Sequence, residues 1–155
     1  MRIRKKMQID LKIAQLLSSR LCHDLVGPIG AVNTGLELME EDSDDDGAAL
    51  GLMARSAAEA TRRLAFYRNA FGMGAGGGGG KGALDEARIL ADGFLETTKV
   101  TLDWPELIPD ALGPVPPGGV KVVLNMILIA SESLPRGGVV GLSLVQLDEG
   151  LGVGL

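Results

Sequence analysis

Histidine, cysteine, tryptophan and tyrosine each occur once in these 155 residues, and phenylalanine only three times. The single Cys22 forbids an intrachain disulfide. One Cys and one His are also too few for a zinc site built from clustered thiolates and imidazoles. No apolar run approaches the roughly 20 residues that span a bilayer. The basic start Arg2-Ile3-Arg4-Lys5-Lys6 is not followed by a signal-peptide core. Acidic residues outnumber basic ones, 20 to 15, for a net charge of −5. That balance argues against a nucleic-acid backbone as the main partner. The chain reads as soluble and cytoplasmic, with neither nucleic acid nor membrane as a partner. Since 46% of residues are hydrophobic but only 3% aromatic, its core must be largely aliphatic.

What is present is organised in two halves. From Ile9 to Met39, apolar residues recur at steps of three or four: Leu11, Ala14, Leu17, Leu21, Leu25, Ile29, Val32, Leu36 and Met39. This is the seam of a packed helix, with Asp10 as its N-cap and Pro28 as an internal kink. The acidic stretch 40–47 ends it. A second seam follows: Leu50, Met53, Ala57, Ala60, Leu64, Tyr67 and Phe71. Two such helices joined by a short loop form an antiparallel hairpin. A lone hairpin leaves an apolar face wet, and a second copy covers it, giving a homodimeric four-helix bundle. Packing on the remainder of its own chain is the alternative.

Residues 1–71 are therefore expected to form a helical-hairpin domain, 72–82 a glycine-rich linker, and 83–155 a second domain. The glycines 76–80 lack the preceding strand and the Gly-Lys-Ser/Thr ending of a phosphate-binding loop, since Lys81 is followed by Gly82. In the second domain Leu84–Leu95 reads as a helix, Lys99–Trp104 as a strand, Val120–Ser133 as an apolar helix and Val139–Leu147 as a strand. A turn at residues 148–152 begins a returning strand. Helices layered on one small sheet give an α+β class, and three short strands make this domain read as incomplete.

The only histidine falls inside the first helix. His23 lies two residues from both Leu21 and Leu25, hence about 160–200° round the helix from each. It points away from the seam. Its helical neighbours are Ser19, Arg20, Val26 and Gly27, then Gly30 and Thr34 along the same face, so a partner can approach closely. Imidazole, with an unperturbed pKa of about 6.5, is the side chain that stays partly neutral and nucleophilic near neutral pH. An exposed histidine without a role is the alternative.

Cys22-His23-Asp24-Leu25-Val26-Gly27-Pro28-Ile29 resembles the phospho-acceptor box of two-component histidine kinases. The longer stretch Ser19–Leu38 looks more specifically like the ChpT-type bacterial histidine phosphotransferases. The resemblance is strong over residues 18–39 and architectural beyond them. It implies a homodimer of helical hairpins, each followed by a small α/β sandwich shaped like a histidine-kinase ATPase domain but degenerate. It also implies relay of a phosphoryl group from the receiver domain of a hybrid histidine kinase to response-regulator receivers. On that resemblance His23 is the phosphorylated residue, Asp24 the acid that assists proton removal, and Pro28 the helix-bending proline. Ser19, Arg20, Val26, Gly27, Gly30 and Thr34 would line the docking surface. Arg20 would offset phosphate charge, or else be a solvated surface Arg, just as Asp24 would otherwise be a plain surface acid. No cofactor and no metal are expected of the chain itself. Mg²⁺ would arrive with the receiver.

ATP use is tested by Val122–Ala130, which resembles the kinase helix whose pattern ends Asn-Ala and whose Asn holds the Mg²⁺ of ATP. Here Ile129 precedes Ala130, and an alkyl side chain cannot ligate a hard cation. Asn125 lies a turn earlier and does not replace it. Asp148-x-Gly150-x-Gly152 matches a nucleotide motif in letters but reads as a hairpin turn. Phosphotransfer without autokinase activity is the resulting expectation. An ATP-dependent kinase core and a non-catalytic dimerisation scaffold are the competing ones.

Overall fold

The computed structural model describes residues 10–40, 46–72, 82–105, 115–147 and 150–155. The packing divides into two compact units, Met1–Ala60 and Thr61–Leu155.

In the first unit, helix α1 (Leu11–Glu40) is followed by α2 (Asp46–Phe71), whose first half belongs here. Asp10 caps α1 as expected: its Oδ1 accepts from the Lys12 N–H at 2.9 Å, satisfying one of the free donors of the first turn. The helices meet through small residues. A Cβ on the buried Gly35 would run into Met53 Cγ and come within 3.3 Å of the Ala49 carbonyl oxygen. The face of α2 buried in this unit is Ala49, Ser56 and Ala60. The bulkier seam residue Leu50 stays exposed, as do Leu11, Leu17, Ile29 and Leu36 of α1. Close approach of two backbones favours small side chains over leucines, so the widest part of each seam remains outside the hairpin contact.

The second unit begins inside α2. Although the sequence places a boundary at residue 71, Thr61–Phe71 packs with this unit. The reason is aromatic: Phe66 stacks on Phe94 of α3 (Ala83–Leu95), with centroids 4.2 Å apart. The expected linker falls mostly on residues 73–81, outside the described residues. After α3 come β1 (Val100–Asp103), α4 (Gly119–Glu132), β2 (Gly138–Gly141), β3 (Ser143–Leu147) and β4 (Gly150–Gly154). β1 and β2 pair in parallel, with Val100 opposite Gly138, and α4 supplies the crossover that a parallel pair requires. β3 and β4 form the expected hairpin.

One expectation is corrected: Val139–Leu147 is two strands, not one. At Leu142, buried and donating its N–H to the Asp103 carbonyl at 2.8 Å, the chain leaves β1 and turns to pair with β4. Among the described residues there are thus two two-stranded sheets rather than one of three strands. Ala87 and Ala91 of α3, Val100 of β1, Val140 of β2, and Val123, Leu124 and Ile127 of α4 make an aliphatic core, as the composition demands. Entry to β2 requires glycine. Gly137 has φ +88° and sits against the Lys99 backbone, so a side chain would be both strained and obstructed.

Candidate functional site

Residues 19–34 of α1 build the site. Pro28 lies four residues after Asp24 and has no N–H, so the Asp24 carbonyl loses its helical donor and the helix is loosened at His23–Asp24. Pro28 itself is buried, and α1 continues through it to Glu40. His23 projects outward, with its side chain 86% exposed, whereas the Asp24 side chain is only 10% exposed. Asp24 Oδ1 lies 3.1 Å from His23 Nδ1. An ionised carboxylate only accepts, so in the neutral ring this contact favours the proton on Nδ1 and the lone pair on Nε2, the nitrogen facing away from the Asp24 contact. The other carboxylate oxygen, Oδ2, accepts from Arg20 Nε at 2.9 Å.

Ser19, Val26, Gly27, Gly30 and Thr34 are all exposed on this stretch of helix, where the 100° arithmetic puts them beside His23. Nothing lies within 4 Å of a Cβ built on Gly27 or Gly30. A glycine within a helix costs about 1 kcal/mol relative to alanine. Among the described residues no contact of this unit explains that cost at either position. Arg20 is the residue whose setting differs most from its sequence reading. Its guanidinium is engaged with Asp24, an interaction that the i,i+4 spacing of an Arg and an Asp could have signalled.

In the second unit, Asn125 donates its amide to the Ala70 carbonyl at 3.1 Å and to the Lys121 carbonyl at 2.7 Å. Lys121 Nζ reaches the Gly72 carbonyl. These two side chains therefore close the C-terminal end of α2, where carbonyls lack helical donors. Ile129 is 65% exposed. A shallow apolar depression lies between Pro116–Gly119, Val122 and Val153. Among the described residues no three acidic, His or Cys side chains cluster as a metal site would require, and no helix is long and apolar enough to cross a membrane.

Both halves of the chain have counterparts among known proteins. Residues 84–153 match the family model of the histidine phosphotransferase C-terminal domain. Protein phosphotransferase ChpT of Brucella abortus (strain 2308) is 39% identical over 138 residues, which is 89% of this chain and 63% of that protein. The solved structure of a bacterial phosphotransferase superposes with a TM-score of 0.71 at 34% identity, covering 94% of this chain and 66% of the other. The chain thus spans slightly under two thirds of the length of the relatives it matches. Residues 84–153 are thus similar to the histidine phosphotransferase C-terminal domain, and over most of its length the chain is similar to protein phosphotransferase ChpT and to the bacterial phosphotransferase of known structure.

Proposed function

We propose that this protein is a relay point of a bacterial phosphorelay, in which His23 takes a phosphoryl group from the aspartyl phosphate of one receiver domain and passes it to another. The observation that carries this reading is the outward imidazole, held by Asp24 through Nδ1 with Nε2 open to a partner. In the transfer, the Nε2 lone pair forms the N–P bond. The P–O bond to the donor aspartate breaks, leaving its electron pair on that carboxylate. The Nδ1 proton passes to Asp24 and on to solvent. Such reactions have loose, in-line transition states, so positioning and charge neutralisation supply most of the catalysis. Mg²⁺ is contributed by the receiver, in the cytoplasm. The donor is the receiver of a hybrid histidine kinase, and the acceptors are response regulators.

The exposed apolar residues Leu11, Leu17, Ile29, Leu36 and Leu50 favour a second copy completing a four-helix bundle. The second unit, with Asn125 engaged at α2 and Ile129 at the surface, fits a degenerate ATPase-like sandwich that assists docking.

The direct test is incubation with a purified phosphorylated receiver after removal of ATP. The expected result is a base-stable, acid-labile label on this protein. Labelling from ATP alone would instead establish a kinase core, and receiver binding without labelling a scaffold.

The open strip carries a second expectation. Gly30→Leu adds a good helix former where space is free and should stabilise α1 by about 0.5–1 kcal/mol. The same change puts a bulky side chain where the receiver must dock, so transfer should slow on the order of tenfold or more. Thermal melting and transfer rates measured together check the opposed signs. Unchanged transfer would remove Gly30 from the docking surface.

A further inference from the structure

We infer that Arg20 is a positioning residue for the phosphoryl acceptor: it holds the Asp24 carboxylate in the orientation that fixes the His23 tautomer. This rests on the relay reading of His23 and extends it. The starting point is that adjacent residues on a helix do not face one another; they are 100° apart. A contact between His23 and Asp24 is therefore not a default pairing, and the carboxylate has to be turned toward the imidazole. Position 20 lies one turn earlier and, at 100° per residue, falls in angle between positions 23 and 24. From there Arg20 Nε reaches Asp24 Oδ2 at 2.9 Å, while Oδ1 meets His23 Nδ1 at 3.1 Å. Each of these two donors thus takes a different carboxylate oxygen. The Asp24 side chain is nearly buried, that of Arg20 one-third exposed and that of His23 open, so the reacting ring is supported from the buried side of the helix.

A guanidinium free to meet an incoming phosphoryl group would stand away from competing anions. Arg20 is already charge-paired with Asp24, and a phosphate would have to displace that carboxylate. The consequence for the chemistry is specific. With Oδ1 fixed on Nδ1–H, Nε2 carries the lone pair before the receiver arrives. If the carboxylate turned away, the ring would relax to the tautomer mixture of free imidazole and part of the population would present an N–H instead of a nucleophile.

Because His23 is the only histidine in the chain, imidazole ¹⁵N chemical shifts report this tautomer without ambiguity. The parent protein, Arg20→Ala and Arg20→Lys are compared, with circular dichroism confirming helix content. The expected result is Nδ1–H in the parent protein and in Arg20→Lys, whose ammonium still pairs at i,i+4, and mixed tautomers in Arg20→Ala. Transfer from a saturating phosphorylated receiver should fall on the order of tenfold in Arg20→Ala and recover largely in Arg20→Lys, with KM for the receiver changed less than about twofold. A raised KM with unaltered ¹⁵N shifts would assign Arg20 to the receiver interface and overturn the inference, as would shifts and rates both unmoved. A parent protein that takes up no phosphate would defeat the relay reading alone, since the tautomer is read without any receiver.

Discussion

His23→Gln should abolish phosphoryl uptake from a phosphorylated receiver, by a factor of at least about 10³, set by detection rather than by residual chemistry. Glutamine has similar reach and can donate an N–H toward Asp24, but its amide nitrogen offers no lone pair to phosphorus. No second imidazole exists to take over. Cys22 is adjacent and exposed, yet on the helix it points 100° away from His23. The same substitution should hardly disturb the fold. The imidazole is 86% exposed, so little packing is lost, and surface changes of this kind stay within about 0.5 kcal/mol. A phosphate label followed by gel, alongside a melting curve, separates the two effects. Label on the Gln variant above background would show that another residue is the acceptor, while lost label with a collapsed melting temperature would attribute the result to unfolding.

The site was more legible in the sequence than the packing around it. A fixed 100° per residue and two flanking leucines suffice to put His23 outward, and the same arithmetic gathers Ser19, Val26, Gly27, Gly30 and Thr34 beside it. The arithmetic does not say which partner Arg20 chooses. Residue 20 is within reach of an approaching phosphate or of Asp24, and side-chain rotamers, not spacing, decide between them. The helices were legible because each has a periodic apolar stripe, and the α2 stripe was legible in part: Ala60 and Tyr67 of the expected seam are buried, whereas Leu50 and Leu64 are exposed. Hydrophobicity ranks Leu50 above Ala49, whereas the close approach at Gly35 brings the Ala49 backbone near and leaves Leu50 outside. The break at Leu142 was hidden for a different reason. The exposed–buried alternation runs unbroken through Val139, Val140, Gly141 and Leu142, so the pattern cannot register that the strand has changed partners. Parallel pairing of β1 with β2 is a choice between segments more than thirty residues apart, and local sequence carries almost none of it.

The largest stability loss is expected at Phe66. The chain has three phenylalanines and one tyrosine, and all four lie in one cluster at the junction of α2 and α3. Phe66 stacks on Phe94 at 4.2 Å and meets Tyr67 edge-on at 5.9 Å. Tyr67 in turn contacts Phe94 edge-on and stacks on Phe71, each at 5.6 Å. Phe66 itself is fully buried. Phe66→Ala removes its apolar surface, leaves a cavity and breaks two ring contacts, a loss of about 3–5 kcal/mol for a buried Phe. Domains of this size are stable by only about 5–15 kcal/mol, so about a fifth or more of the total is at stake. The polar contacts nearby do not compensate. Arg62 Nε lies 2.8 Å from Glu96 Oε2 but without the alignment of a hydrogen bond. Glu96 is mostly exposed, and such pairs contribute at most about 1 kcal/mol. At roughly 4–8 °C per kcal/mol for a unit of this length, the melting temperature should fall by about 12–40 °C. Trp104, the only tryptophan and buried in the same unit, reports that transition by fluorescence. Phe66→Leu, which keeps most of the volume, should cost less than half as much. A fall under about 5 °C for the alanine variant would mean that aliphatic contacts, not the rings, hold the second half of α2 to its unit.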